Sequence, residues 1–351
     1  MKLAMINIVK PAKGSGDGIT EYTYKLYKEI RKTNKVDLVY SLPEAIRNNI
    51  SGLVSANLKM RGTLQMMSCD YDILHITNQE VGFASKLLSK RCDTPVVTTV
   101  HDISRFQKGL QRGVLQRTYN RMVKAYVADA IHNSDFLIFD SQLTMDEVKK
   151  KFYIGKNGRV VNIGIDSSFM TRPKTKRTDS KKFTVGYIGS FAYHKNVMLL
   201  LEAANIIEDG YAFNIYGSGV EAKRLEEYKE LNKLNSVKFM GFAPEERKVE
   251  IYDSFDAFVF PSLYEGFGLP ILEAQARGLP VIVYKKGKVS EEIKKYCFEA
   301  EDAVHMASII DDIRENGYDD KLRRKATAYA RSFTWRKCAE ETLKVYDEIV
   351  N

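Results

Sequence analysis

Two glutamates eight residues apart, Glu265 and Glu273, stand in the stretch PSLYEGFGLPILEAQARGLPVIV at 261–283. Carboxylates are pure acceptors when ionised, and two of them addressing one ligand suit the hydroxyls of a sugar. Gly266 and Gly268 lie between them and permit close backbone approach, while Pro270 suits the first turn of a helix. The segment therefore reads as strand, loop and helix N-terminus, with Glu265 on the loop and Glu273 in the helix's opening turn. A Glu273 that merely complements the helix dipole is the structural alternative, and it accounts for one acid but not for the glycines.

His101 and Asp102 follow the apolar run PVVTTV, at the carboxyl end of an expected strand, where α/β sheets place their ligands. The competing reading is a histidine satisfied by neighbouring backbone. In the first loop, KPAKGSGDGITEYTYKL, Gly14, Gly16 and Gly18 precede a helix carrying Tyr22, Leu26 and Ile30, an arrangement that brings backbone N–H groups to a phosphate. Its spacing is not GxGxxG, and no ribose-binding acid follows about 20 residues on, which disfavours a nicotinamide dehydrogenase. Asp70-Tyr71-Asp72 has the form of a metal-holding DxD, but it precedes the strand ILHI and reads as a pair of solvated turn residues. His75, His132, His194 and His305 are too widely separated for metal-ligand spacing, so no metal site is expected.

The elements that must position these groups follow from the rest of the chain. With 351 residues, 44% hydrophobic and 28% charged, and with 8 Pro against 22 Gly, the chain is a globular protein of two domains and not a disordered or collagen-like one. Apolar runs rich in β-branched residues alternate with amphipathic helical patterns: LAMINIV, YDILHI, PVVTTV, FLIF and RVVNI, then FTVGYIG, FNIYG, SVKFMG, AFVFP and PVIVY. These are buried parallel strands of two doubly wound α/β units, with the ligand site expected in the cleft between them. The charged, aperiodic stretch TRPKTKRTDSKK at 171–182 reads as the linker, separating a first domain, 1–170, from a second, 183–335. A last amphipathic helix, with Trp335, Ala339, Leu343 and Tyr346 at helical spacing, needs a surface to pack on.

Residues 1–178 hold 29 Lys+Arg against 16 Asp+Glu, a net of +13, and residues 179–351 hold 25 against 29, a net of −4. The basic half suits a polyanionic partner, nucleic acid or an anionic membrane surface, or is simply solvated. Residues 105–124 alternate Arg105, Lys108, Arg112, Arg117, Arg121 and Lys124 with Phe106, Leu110, Val114 and Leu115, as an interfacial helix would, although the same stripe suits a core-facing helix. Cys69, Cys92, Cys297 and Cys338 form no CxxC pair, so reduced thiols and no disulfide are expected, as in a cytoplasmic protein. No run approaches the length of a signal peptide or a membrane span.

Along nearly its whole length the sequence resembles the retaining glycosyltransferases of family four, the group 1 enzymes with the two-domain GT-B fold. EGFGLPILE fits the family's Glu-x7-Glu signature, IGSFAYHKN at 188–196 its basic phosphate motif, and NIGID at 162–166 its domain hinge. YDILH, TVHDI, DSQLT and the terminal FTW followed by a helix also look like family segments. The resemblance implies two Rossmann-like domains facing across a cleft, the second holding a UDP- or GDP-sugar, the first taking a glycan or lipid-linked acceptor, and helix 336–351 packing back on the first. It implies that Glu273 accepts from the ribose diol, and that Glu265 with the N–H groups of Phe267 and Gly268 holds sugar hydroxyls beside Gly266. Lys195 would hold the diphosphate, His101 a donor-sugar hydroxyl near the reactive carbon, and Gly16 and Gly18 would border the phosphate. His101, Lys195 and Glu265 are thus the implied catalytic groups, with no metal and no cofactor beyond the nucleotide-sugar substrate. The sequence departs from the family's pattern where Ser190 and His194 replace basic residues and Thr20 replaces a glycine.

The implied activity is transfer of a hexose, mannose or glucose, in the cytoplasm, with a peripheral contact to the cytoplasmic membrane face through 105–124 as a further option. Two other classes fit part of the sequence. A nucleic-acid-binding protein would use the basic half but leaves the Glu-x7-Glu loop without purpose, and a GT-B sugar-nucleotide epimerase or phosphorylase would differ in its products.

Overall fold

The computed structural model describes residues 1–10, 18–42, 50–81, 84–107, 114–152, 155, 158–171 and 182–351. Gly16, Lys108 and Arg112, and all of the expected linker except its two end residues, fall outside the described residues. The chain forms two compact units, Met1–Gly164 with Trp335–Asn351, and Ile165–Thr334. The division lies after Gly164 and not at 170, because Ile165 bridges to Thr334 and the 3-10 turn Ser167–Met170 carries Phe169 into the second unit's aromatic core against Tyr252.

In the first unit, β1 (Lys2–Ile6), β2 (Lys35–Val39), β3 (Ile73–Ile76), β4 (Val96–Val100), β5 (Phe136–Phe139) and β6 (Gly158–Val160) pair in parallel in the order β2-β1-β3-β4-β5-β6. Helices α1 (Gly18–Ile30), α2 (Ile50–Met66), α3 (Ala84–Arg91), α4 (Val114–Asn133) and α5 (Gln142–Phe152) connect them. ILHI, VVTTV and FLIF are buried at every position, as strands covered on both faces must be.

The second unit repeats the design with β7 (Phe183–Ile188), β8 (Tyr211–Tyr216), β9 (Val237–Gly241), β10 (Ala257–Phe260), β11 (Val281–Tyr284) and β12 (Phe298–Ala300), in the order β12-β11-β10-β7-β8-β9. Its helices are α6 (Val197–Ile206), α7 (Ala222–Leu231), α8 (Lys248–Asp253), α9 (Leu269–Ala276), α10 (Glu291–Lys294), α11 (Ala303–Asn316) and α12 (Asp320–Arg331). The strand order reverses between β7 and β10, the place where sheets of this kind bind ligands beyond the carboxyl ends of their strands.

The final helix, α13 (Trp335–Val350), belongs to the first unit and packs on α1. Its buried stripe is Cys338, Ala339, Thr342, Val345 and Tyr346, with Trp335 and Leu343 at the margin. Cys69 and Cys92 are joined in a disulfide, their Cα atoms 5.4 Å apart, which overturns the expectation of four reduced thiols. Scattered spacing in sequence misled that expectation: Cys69 lies just beyond α2 and Cys92 just beyond α3, and both segments close on the amino ends of β3 and β4. Cys297 and Cys338 are free thiols.

Candidate active site

The second unit brings the two loops at its strand-order reversal into direct contact. After β7, a 3-10 turn, Tyr193–Lys195, leads through Asn196, held at φ 52°, into α6. After β10 comes PSLYEGFG. The main chain joins them: Leu263 N–H donates to His194 O at 2.7 Å, and Asn196 Nδ2 donates to Pro261 O at 3.2 Å. Lys195 Nζ then reaches Glu265 Oε1 at 2.6 Å, with both side chains mostly but not fully buried.

A third segment, after β11, backs the Glu265 loop. Glu265 N–H donates to Lys288 O, and Lys288 N–H to Leu263 O, each at 2.9 Å. Gly287 is required there, since a Cβ on it would stand 2.2 Å from Ser262 O. Gly268 caps α9 at φ 105°, a left-handed conformation that a side chain disfavours, and Pro270 occupies the helix's second position. Phe267 is buried edge-on against Phe333.

Glu273 is the fifth residue of α9 and so lies one turn deeper than the opening turn expected for it. It is 7% exposed and accepts from the Tyr252 hydroxyl at 2.8 Å, with Tyr252 itself fully buried. Burial raises the Glu273 carboxyl above its ordinary range, against the opposing pull of Lys248 and of the Tyr252 hydrogen bond. The helix dipole does not explain a carboxylate so placed, because its field fades beyond the first turn. A buried acid with one hydroxyl partner keeps acceptor capacity in reserve. Sequence reasoning missed Tyr252, for which no spacing signal exists.

His101 and Gly18 belong to the first unit. His101, 8% exposed, follows β4 and is bonded on every side: Nδ1 to Asp140 Oδ2 at 2.6 Å, Nε2 to Thr77 O at 2.9 Å, and its main-chain N–H to Gln79 Oε1 at 2.5 Å. Tyr22 of α1 meets the ring edge-on. Two acceptors facing the two ring nitrogens are satisfied together by an imidazolium. Burial disfavours the charge, but Asp140 outweighs it and the His101 pKa is raised. Asp140 stands at the carboxyl end of FLIF, the same position His101 occupies after VVTTV, and that parallel was the available signal for it.

Beneath this pair, buried His75 is pushed down to about 3, so it is neutral. Its Nδ1 faces the Tyr346 hydroxyl of α13 at 2.6 Å and its Nε2 the Thr99 hydroxyl at 2.7 Å. Asp70 and Asp72 are engaged at the amino end of β1, Asp70 with Lys2 Nζ at 2.6 Å and Asp72 with Lys2 N–H at 2.7 Å, as turn residues at that end should be. Ser190 is exposed just beyond Gly189. No helix among the described residues is long and apolar enough to cross a membrane.

Residues 17–169 match the model of Glycosyltransferase Family 4, and residues 170–333 match that of Glycosyl transferases group 1. Among curated proteins, the O-antigen chain mannosyltransferase B of Escherichia coli is 28% identical over 170 residues, 46% of this chain and 44% of that protein. Among solved structures, the sucrose-phosphate synthase from Thermosynechococcus elongatus superposes with a TM-score of 0.84 at 18% identity, covering 99% of this chain and 98% of the other. Anabaena Alr3699/HepE, solved in complex with UDP and glucose, gives a TM-score of 0.73 at 17% identity, covering 99% of each chain.

Proposed function

Because this chain belongs to the group 1, family-four glycosyltransferases, we propose that it is a retaining hexosyltransferase that moves mannose or glucose from a UDP- or GDP-sugar to a glycan or lipid-linked acceptor. The observation that carries this reading is the second unit's strand-order reversal, where Lys195, Glu265 and the buried acid Glu273 are held on two loops and a helix. The O-antigen mannosyltransferase supports the sugar class, and the UDP and glucose held by HepE support the donor class.

In this reading Glu273 accepts from the ribose diol, and Glu265 with the N–H groups of Phe267 and Gly268 holds the sugar beside Gly266. Lys195 takes the diphosphate, where negative charge grows as the glycosidic bond breaks, and a cation already fixed in place stabilises that charge most in the transition state. The first unit takes the acceptor. His101, whose ring nitrogens are engaged by Asp140 Oδ2 and Thr77 O, reaches a donor-sugar hydroxyl only by giving up the Thr77 contact at Nε2. Front-face attack, with a leaving phosphate oxygen taking the acceptor proton, gives retention without a carboxylate pair flanking the anomeric carbon.

A panel of nucleotide sugars screened by thermal shift tests the donor, since a ligand of the native state raises its melting temperature. Product analysis without acceptor, and with free phosphate, separates transfer from epimerisation and phosphorolysis. Activity in excess chelator is expected to persist; loss restored by Mg²⁺ or Mn²⁺ would return Asp70 and Asp72 to consideration. For the first unit we infer peripheral contact with an anionic, cytoplasmic membrane face through 105–124, supported by the exposed Arg117 and Arg121 of α4.

A further inference from the structure

Lys195 and Glu265 lie 70 residues apart in sequence and yet bond to each other at 2.6 Å. Their backbones are held in place independently of that bond, by Leu263 N–H to His194 O and by Glu265 N–H to Lys288 O. The ion pair can therefore open by side-chain rotation alone, without moving either loop. Each member is also a group the proposed reaction needs, one for the diphosphate and the other for sugar hydroxyls.

We propose that the Lys195–Glu265 pair makes the site select an intact nucleotide sugar over the nucleoside diphosphate left after transfer. This rests on the donor-site reading above and adds a selectivity that the reading does not contain. An intact donor draws Lys195 to its diphosphate while its hydroxyls donate to Glu265, so both mostly buried charges exchange one partner for another. A nucleoside diphosphate also draws Lys195 away but offers Glu265 nothing. The carboxylate, 13% exposed, then loses a charge-assisted hydrogen bond that little water can replace. The product thus competes with Glu265 for the lysine, and its binding is weakened by that competition once the sugar has gone.

The test compares affinities for UDP-glucose with UDP, and for GDP-mannose with GDP, by calorimetry on the wild-type chain, Glu265→Gln, Lys195→Ala and the double variant. Glu265→Gln is expected to tighten nucleoside diphosphate binding by a few-fold to about tenfold, since a neutral amide holds the ammonium less strongly. The same variant is expected to weaken binding of the nucleotide sugar, so the two affinities shift in opposite senses at one position and their ratio falls. Lys195→Ala should weaken both ligands, and Glu265→Gln should then bring no gain for the diphosphate, the non-additivity that direct coupling demands. A residue that merely supports the loop would weaken both ligands together.

Glu265→Gln that leaves diphosphate affinity unchanged or lowers it, or that raises it equally in the Lys195→Ala background, overturns the proposal while leaving the donor-site reading intact. Unchanged affinities in Lys195→Ala, or no binding of any of the four nucleotides to the wild-type chain, overturn the donor-site reading itself and the proposal with it. Melting of the ligand-free variants checks the fold. If Glu265→Gln is unstable, Glu265→Asp, one methylene short of Lys195, is expected to move the affinity ratio in the same direction.

Discussion

At the scale of single residues, the site holds charges where burial opposes them, and this can be measured. The raised carboxyl of Glu273 means that the folded chain binds its proton more tightly than the unfolded chain does. Its contribution to stability is full below the unfolded value of about 4.3 and is lost as pH rises through the folded value. Glu273→Gln removes that loss. The variant should melt above the wild type at pH 7–8, by about 2–4 °C for each kcal/mol relieved, with the difference closing toward pH 4, while nucleoside diphosphate affinity falls. Equal melting at both pH values would show that the buried acid carries no such cost. In the first unit, Asp140 holds the His101 charge against burial, among Asp102, His75, Tyr22 and the α13 residues Cys338 and Tyr346. In Asp140→Asn an amide oxygen still accepts from Nδ1, but the countercharge is gone, so His101 should titrate below its wild-type value. Proton NMR of the histidine ring, assigned with His101→Gln, reads this directly, and an unmoved titration would exclude Asp140 as the cause. Stabilisation through His101 is full below about pH 6.5 and fades as pH rises through the raised folded value, whereas burial also raises the Asp140 carboxyl, so its ionisation sets a cost against that gain.

At the scale of elements, what the sequence made legible follows the depth of burial. Buried strands announce themselves as apolar runs, and FLIF, VVTTV, AFVF and VIVY appear where those runs stand. The strands passed over, KVDLV and FEA, are β2 and β12, each at one edge of its sheet; the other edge strands, β6 and β9, are as exposed and yet lie within RVVNI and SVKFMG. The glycines and Pro270 marked the entry to α9, but the exact turn holding Glu273 depended on where the helix begins, the least certain feature of any sequence reading. Contacts across long separations, Lys195 with Glu265 and Cys69 with Cys92, carried no signal, because strand order and not spacing brings them together. The buried stripe of α13 was visible as a period, while its polar member's partner was not. Tyr346→Phe tests that contact. It leaves neutral His75 with an unpartnered ring nitrogen at 0% exposure, at a cost of about 1–3 kcal/mol. Melting should fall accordingly; an unchanged melting temperature would mean that the hydroxyl adds nothing beyond ring packing.

At the scale of the whole molecule, the charge imbalance of +13 in residues 1–178 against −4 in the remainder gives the membrane proposal a definite physical form. An interfacial helix binds by burying an apolar face and by attracting acidic lipid. Among the described side chains of α4 the apolar face is already used: Tyr119, Val123, Val127 and Ile131, four residues apart, pack with Val100, Leu137 and Phe139 in the unit's own core. Phe106 is likewise covered, edge-on against Phe152 with the ammonium groups of Lys124 and Lys151 over its ring. Among the described residues Arg117 and Arg121 face outward. Attraction of this kind amounts to about 1 kcal/mol per cation near an acidic surface and decays within a Debye length, which shrinks from about 10 Å at 0.1 M salt to about 3 Å at 1 M. The chain should therefore float with phosphatidylserine vesicles at low salt, be released as salt approaches about 0.5 M, and ignore neutral vesicles. Arg117→Glu with Arg121→Glu should weaken flotation without lowering the melting temperature, since both side chains point away from the core. Flotation that resists salt would mean that apolar insertion occurs after all and that α4 is not held as described, and no flotation at low salt would remove the membrane contact altogether.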